Sequence, residues 1–280
     1  MKLEEIRYEV KDCVAVVTLN RPNKLNAFNA KMRNELIRVV QQADQDDVVR
    51  VMVVTGAGKA FCAGADLSVG GSGFDRSEQE GRKVSMDEHR DGGGQVALAA
   101  YRCRKPVIAA INGHAVGVGI TMTLAMDMRI AAEAAKIGFV FTRRGVVPEA
   151  CSSWFLPRIV GMSKAAELLY TGRVFRAIEE SDSGLFNYVL PGNEVLPKAM
   201  EIAREIAENT SAVSVALGKA LLHQGVLEPD PQSVHLMDSR CMYWSGLHQD
   251  SHEGVKGFLE KRAPKFSMSP TKDMPDFYPW

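Results

Sequence analysis

Through the first half of the chain, short runs of β-favouring residues alternate with helix-like stretches: residues 14–19, then 30–44, 49–55, a helix approaching Lys105, and 107–111. That order predicts an α/β fold. Within 30–44, Met32, Leu36, Val39, Val40 and Ala43 recur at spacings of three and four, a stripe suited to packing on a sheet. From Ser163 onward the pattern becomes helical, at 164–170, 197–209, 213–224 and a segment ending near Lys261-Arg262. Such a tail is long enough to pack against another subunit. No repeat of fixed period and no coiled-coil pattern is present.

A chain of 280 residues, 46% hydrophobic and 24% charged, fits one large globular domain with a peripheral helical part, or two small domains. Lys plus Arg balances Asp plus Glu at 34 each, so nothing in the overall charge suggests a nucleic-acid partner. Five scattered cysteines, Cys13, Cys62, Cys103, Cys151 and Cys241, lack paired zinc-site spacing and point to reduced thiols in an intracellular compartment, with no metal expected. The acidic Met1-Lys2-Leu3-Glu4-Glu5 start has no apolar core, no stretch is long and apolar enough to span a bilayer, and Tyr278-Pro279-Trp280 is no peroxisomal tripeptide. A soluble protein is expected, without a recognisable address.

Between Ser68 and Gly94 the composition turns to Gly, Ser and charge, as in Val69-Gly70-Gly71-Ser72-Gly73 and Arg90-Asp91-Gly92-Gly93-Gly94. A mobile surface excursion is expected, either folding over a ligand or simply solvated. Two small-residue loops follow strands: Phe61-Cys62-Ala63-Gly64-Ala65-Asp66-Leu67, and Asn112-Gly113-His114-Ala115-Val116-Gly117-Val118-Gly119, which opens a helix through Thr121–Ala125. Each alone is weak evidence, and neither is a phosphate loop. Together, aiming one N–H each at a single oxygen, they would form an oxyanion hole for an enolate. Beyond them lies Val147-Pro148-Glu149-Ala150-Cys151-Ser152-Ser153-Trp154, whose lone acidic residue is a candidate catalytic base or, alternatively, a helix cap.

The ordered motifs Ala15-Val16-Val17-Thr18-Leu19-Asn20-Arg21-Pro22, Asn26-Ala27, Phe61-Cys62-Ala63-Gly64-Ala65-Asp66, Lys105-Pro106-Val107-Ile108-Ala109-Ala110-Ile111-Asn112-Gly113 and Pro157-Arg158-Ile159-Val160-Gly161 strongly resemble the enoyl-CoA hydratase/isomerase (crotonase) superfamily. The resemblance covers nearly the whole chain. It implies a spiral of repeated β-β-α units over residues 1–200 carrying an acyl-CoA site, and a C-terminal helical trimerisation region over 201–280. It also implies a homotrimer or hexamer, and no cofactor besides the coenzyme A of the substrate. By position, the oxyanion donors are the N–H groups of Ala65 and Val118.

For coenzyme A, the resemblance implies contacts from Cys62, Ala63, Gly64 and Ala65, with Lys24 and Ala27 near the nucleotide. Lys261 or Lys265 would reach a phosphate, across a subunit boundary, and Phe258 would line the acyl end. Gly117 and Phe141 count among the substrate-binding residues.

At both positions where hydratases of this family carry catalytic glutamates, the chain has Thr121 and Phe141, which removes the usual acid–base apparatus for adding water. Pro148-Glu149-Ala150-Cys151-Ser152-Ser153 instead looks like the segment carrying the catalytic Glu of Δ3-Δ2-enoyl-CoA isomerases. The expected activity is a double-bond shift in an enoyl-CoA, with Glu149 as base. A hydratase-like enzyme in which Glu149 or Asp91 activates water is the first alternative, and a non-catalytic acyl-CoA or RNA-binding relative the second. Asp66 is expected to brace its own loop, Asp127 and Arg129 to form structural pairs, and His114 to be packed and hydrogen-bonded. Arg143-Arg144 reads as a buried structural fork or as a contact to an acidic substrate tail.

Overall fold

The computed structural model describes residues 3–278 apart from 69, 71, 72, 76, 80 and 81. Val69, Gly71 and Ser72 of the glycine-rich run therefore lie outside the described residues, as do Met1, Lys2, Pro279 and Trp280.

The chain opens with a hairpin of β1 (Ile6–Lys11) and β2 (Val14–Leu19), joined by Asp12 and Cys13 at φ of 50° and 60°. Two consecutive residues with positive φ give a tight turn whose twist suits paired strands. Helix α1 (Ala30–Gln45) starts at Asn29, whose side chain accepts the Met32 N–H at 2.8 Å. The predicted stripe of α1 is buried, and Glu35 is buried with it. That carboxylate accepts the N–H groups of Glu4, Glu5 and Ile6 at 3.0, 2.9 and 3.1 Å, which fastens the start of β1 to α1.

Three β-β-α turns follow. The first comprises β3 (Val51–Gly56), β4 (Ala60–Cys62), the short paired strands β5 (Glu78–Gln79) and β6 (Arg82–Lys83), and α2 (Gly92–Arg102). The second is β7 (Val107–Ile111), β8 (His114–Val116) and α3 (Val118–Thr121). The third is β9 (Met128–Ala132), β10 (Lys136–Gly138), α4 (Ser152–Val160) and α5 (Met162–Thr171). After β11 (Val174–Arg176) and β12 (Tyr188–Leu190) come α6 (Val195–Asn209), α7 (Ala212–Gly225), α8 (Pro231–Gly246) and α9 (Gln249–Leu259).

The first strand of each turn joins a six-stranded sheet ordered β1-β2-β3-β7-β9-β12, parallel from β2 onward. The second strands make a four-stranded sheet ordered β11-β10-β8-β4. The spiral of β-β-α units implied by the resemblance is thus the observed architecture. Val51 to Val54 of β3 and all of β7 are buried, as central strands covered on both faces should be. Helix α6 runs across residue 200 and lays Val195, Ala199, Ala203 and Ala207 onto that sheet.

Two expectations shift. Gly92, Gly93 and Gly94 belong to α2 rather than to a loop, because Asp91 caps them: its carboxylate accepts the Gly94 N–H at 2.5 Å. The α-helix after the second glycine loop ends at Thr121, short of Ala125. The far end of the chain is different in character. Helix α8 buries no residue, and Met242, Tyr243, Leu247, Val255, Phe258 and Leu259 on α8, α9 and their junction are exposed.

Candidate functional site

Asn26 anchors the first loop. Fully buried, it donates from its amide to the carbonyls of Ala57 and Ala60 at 2.9 and 2.8 Å and accepts the Arg21 N–H at 2.8 Å. Beyond β4, Gly64 takes φ of 109°, and Ala65 bridges to Phe28: the Phe28 N–H donates to Gly64 O and the Asp66 N–H to Phe28 O, both at 2.8 Å. Asp66 braces this loop as expected, and hydrogen bonds from Ser68, with Arg21 at 2.9 Å, hold its carboxyl down at about 2. Cys62 is fully buried and its thiol is pushed up to about 12 by burial.

The second loop turns at Gly117, with φ of 56°, whose N–H donates to Gly138 O at 2.8 Å; Val118 then begins α3. The loops abut. A Cβ on Gly119 would stand 2.0 Å from Cys62 O, and one on Gly64 would stand 3.1 Å from Val116 O. Such an approach requires glycine on both sides. Neither the Ala65 nor the Val118 N–H donates to any of the described residues, so both remain available to a ligand.

Glu149 reaches the same region from the third turn. Ala150 and Cys151, at φ of 57° and 54°, swing the backbone sharply into α4. The Glu149 side chain does not cap that helix: Cys151 occupies the cap position, and only the Glu149 backbone carbonyl accepts, from the Ser152 N–H at 3.0 Å. The carboxyl points instead to α3, where Thr121 Oγ1 donates to Oε1 at 2.6 Å. Its other side lies on α2, so close that a Cβ on Gly93 would fall 1.8 Å from Oε2. Burial pushes the Glu149 carboxyl up to about 8; the Thr121 hydrogen bond opposes this and the adjoining Asp91 carboxyl adds to it.

One group thus unites Glu149, Thr121, Gly117, Val118, Cys62, Gly64 and Ala65, with Asp91 and Gly93 joining from α2. Phe141, at the second expected acid position, is buried one residue ahead of a turn whose Thr142 and Arg143 side chains donate to carbonyls at the end of α5. Arg143 is therefore structural, but both it and Arg144 are exposed, so the pair is no buried fork. Ala63 sits inside the first loop, donating to Leu25 O at 3.0 Å, and the Ala27 carbonyl accepts from Arg21. Lys24 is exposed, 3.7 Å from Asp66 Oδ2. Phe258, 83% exposed on α9, and Lys261, in the turn beyond, face solvent in the single chain. Lys265 is also exposed.

The remaining polar residues are structural. Asp127 accepts from the Val107 N–H and from Lys219 at 2.7 and 2.9 Å, Arg129 donates to the carbonyls of Leu185, Thr123 and Met126, and His114 Nδ1 accepts the Lys136 N–H at 3.1 Å. What the sequence reading missed is the role of Gly93, which yields the space Glu149 occupies, and of Thr121, which serves Glu149 from the position of a replaced acid. Three glycines after an acidic residue were the only signal for the first.

A family model for enoyl-CoA hydratase/isomerase matches residues 9–269. A protein of Alternaria alternata named enoyl-CoA hydratase ACTT3 is 44% identical, over 91% of this chain and 83% of its own. A 1,2-epoxyphenylacetyl-CoA isomerase of Escherichia coli is 31% identical, over 95% and 99%. A crystal structure of an enoyl-CoA hydratase from Bacillus anthracis superposes with a TM-score of 0.83 at 33% identity, covering 94% of this chain and 99% of that one.

Proposed function

The chain belongs to the enoyl-CoA hydratase/isomerase family, and on that premise we propose that it shifts a double bond in an enoyl-CoA, with Glu149 carrying the proton. The observation that carries this reading is the half-buried carboxyl of Glu149, raised to about 8 and turned toward two glycine loops whose Ala65 and Val118 N–H groups have no acceptor among the described residues. With a 3-enoyl thioester in place, the thioester oxygen accepts from those two N–H groups. Glu149 removes a proton from C2, negative charge moves to the oxygen as the dienolate forms, and the same carboxylic acid returns the proton at C4. A base raised toward neutral pH suits abstraction from carbon better than an ordinary carboxylate. Thr121 holds the carboxyl in place at 2.6 Å. The coenzyme A brought by the substrate lies along Cys62, Ala63 and Gly64, and the reaction needs no further cofactor.

A second reading, hydration of a 2-enoyl-CoA, is favoured by Asp91, a second carboxyl beside Glu149, and by the name of the Alternaria relative. The exposed apolar residues of α8 and α9 favour assembly of several copies, in which Phe258 and Lys261 of one copy would reach the site of the next. Sedimentation of the purified protein tests this. Among the described residues no helix is long and apolar enough to cross a membrane.

The decisive assay follows formation of the conjugated 2-enoyl thioester from a medium-chain 3-enoyl-CoA, for the unaltered protein and Glu149→Gln. A loss of roughly 100-fold or more in kcat supports the proton shift. No conversion by the unaltered protein, with label from heavy-oxygen water entering a 2-enoyl-CoA, replaces it with hydration.

A further inference from the structure

Asp91 is tied down from two directions. Its Oδ1 accepts the Gly94 N–H at 2.5 Å, at the start of α2, and the Ala150 N–H at 3.1 Å, from the residue next to Glu149. The first bond is an ordinary helix cap. The second joins chain segments 59 residues apart and explains a costly conformation: Ala150, an alanine at φ of 57°, presents its N–H to α2 instead of to α4. Held by both backbone donors, one from the residue next to Glu149, the Asp91 carboxyl adjoins that of Glu149 and pushes it up. Gly93, between the cap and its partner Gly94, leaves the Glu149 carboxyl room against the first turn of α2, where a Cβ would fall 1.8 Å from Oε2.

Two carboxyl groups in contact cannot both be ionised without repulsion, and one shared proton relieves it. From this geometry we infer that Asp91 is a positioning residue for the proton chemistry of the site: it accepts a hydrogen bond from protonated Glu149, holds that carboxyl toward α2, and makes its anion more basic. The inference rests on Glu149 being the proton-transfer group. In the step itself the proton leaves Glu149 or arrives there, while Asp91, fixed by Gly94 and Ala150, keeps its place and takes no proton from substrate. The other titratable groups facing Glu149 are Cys62 from the end of β4 and Cys151 from the start of α4. Burial raises both thiols above the ordinary range, so neither supplies a neighbouring charge near neutral pH. Asp91 is thus the neighbouring carboxyl that substitution can replace without emptying the site.

Asp91→Asn separates this role from capping, because asparagine caps a helix as well as aspartate and can accept the same two N–H groups. Isotope-edited infrared difference spectra, referenced to Glu149→Gln, report the protonated Glu149 carboxyl directly. Its titration midpoint in Asp91→Asn is expected to fall by about one pH unit, and the corresponding limb of the kcat/KM profile to move with it. The plateau rate should drop roughly three- to tenfold as the base weakens. Asp91→Ala, which also loses the cap, should show the same displacement with a lower Tm. An unchanged infrared midpoint in Asp91→Asn overturns the inference and leaves Asp91 a cap alone. A displaced midpoint in a protein that converts no enoyl-CoA upholds the pairing and refutes the function proposed above.

Discussion

A Gly93→Ala substitution places a Cβ 1.8 Å from Glu149 Oε2, 2.7 Å from Cδ and 3.0 Å from Oε1. An ordinary contact begins at 3.4 Å, so Oε2 must retreat by about 1.6 Å or the first turn of α2 must move away by as much. Retreat on that scale breaks the 2.6 Å hydrogen bond from Thr121, and movement of α2 breaks the Asp91 contacts to Gly94 and Ala150. Folding is affected far less. Gly93 does not adopt a positive φ, and alanine is favoured over glycine in a helix by up to about 1 kcal/mol. Glu149 is half-buried. Misplacing a reacting group by about 1 Å costs on the order of 100-fold in rate. The variant should therefore keep its near-ultraviolet circular dichroism and a Tm within a few degrees, while kcat on a 3-enoyl-CoA falls by roughly 100-fold. Retention of kcat within threefold in a normally folded variant would sink the claim that Glu149 must sit against α2 to act.

Thr121→Val removes the donor that favours the Glu149 anion, so the midpoint governed by Glu149 should rise by about half to one pH unit, and Thr121→Ser should restore it; pH–rate profiles check this. Because Glu149 stands near 8 in the folded chain against an ordinary 4.5, the native state retains a proton that the unfolded chain has lost, and stability declines as pH rises between those values. Glu149→Gln should accordingly match the unaltered protein near pH 5 and exceed it by roughly 2–4 kcal/mol at pH 8.5 in urea titrations; equal stability at both pH values would contradict the raised value. Glu35→Ala strands the N–H groups of Glu4, Glu5 and Ile6 and should lower the unfolding free energy by about 2–4 kcal/mol, read from the urea midpoint at constant slope.

How far the fold can be read depended on run length. The stretches that became β2, β3 and β7 are five or six residues long and strongly apolar, and the α1 stripe spans three helical turns, so each shows its period. The three-residue strands β4, β8, β10 and β11 are too short for any alternation to register, yet they build the second sheet that carries both glycine loops. Glu149 stood out because its neighbours are uncharged. Its setting did not, since Thr121 and Asp91 lie 28 and 59 residues from Glu149 and Ala150 in sequence and meet them only when the turns stack. Gly92 to Gly94 misled for a related reason: glycine weakens a helix, but at Gly93 a long-range carboxyl occupies the space a Cβ would take.

Neither sheet ever inserts a strand between two that precede it: along β1-β2-β3-β7-β9-β12, and along β4-β8-β10-β11, chain order and spatial order coincide. A nascent chain can therefore extend both sheets at a free margin as it leaves the ribosome, without reopening pairs already made. The drawback is a succession of temporary edges. Once Val107–Ile111 has docked on β3, its outer hydrogen-bonding margin stays bare until Met128–Ala132 arrives, and every residue of that strand is one the finished protein buries. Ribosomes that stall between those two strands would hold out a bare apolar edge open to pairing with another chain, as would stalls between β3 and β7 or between β9 and β12.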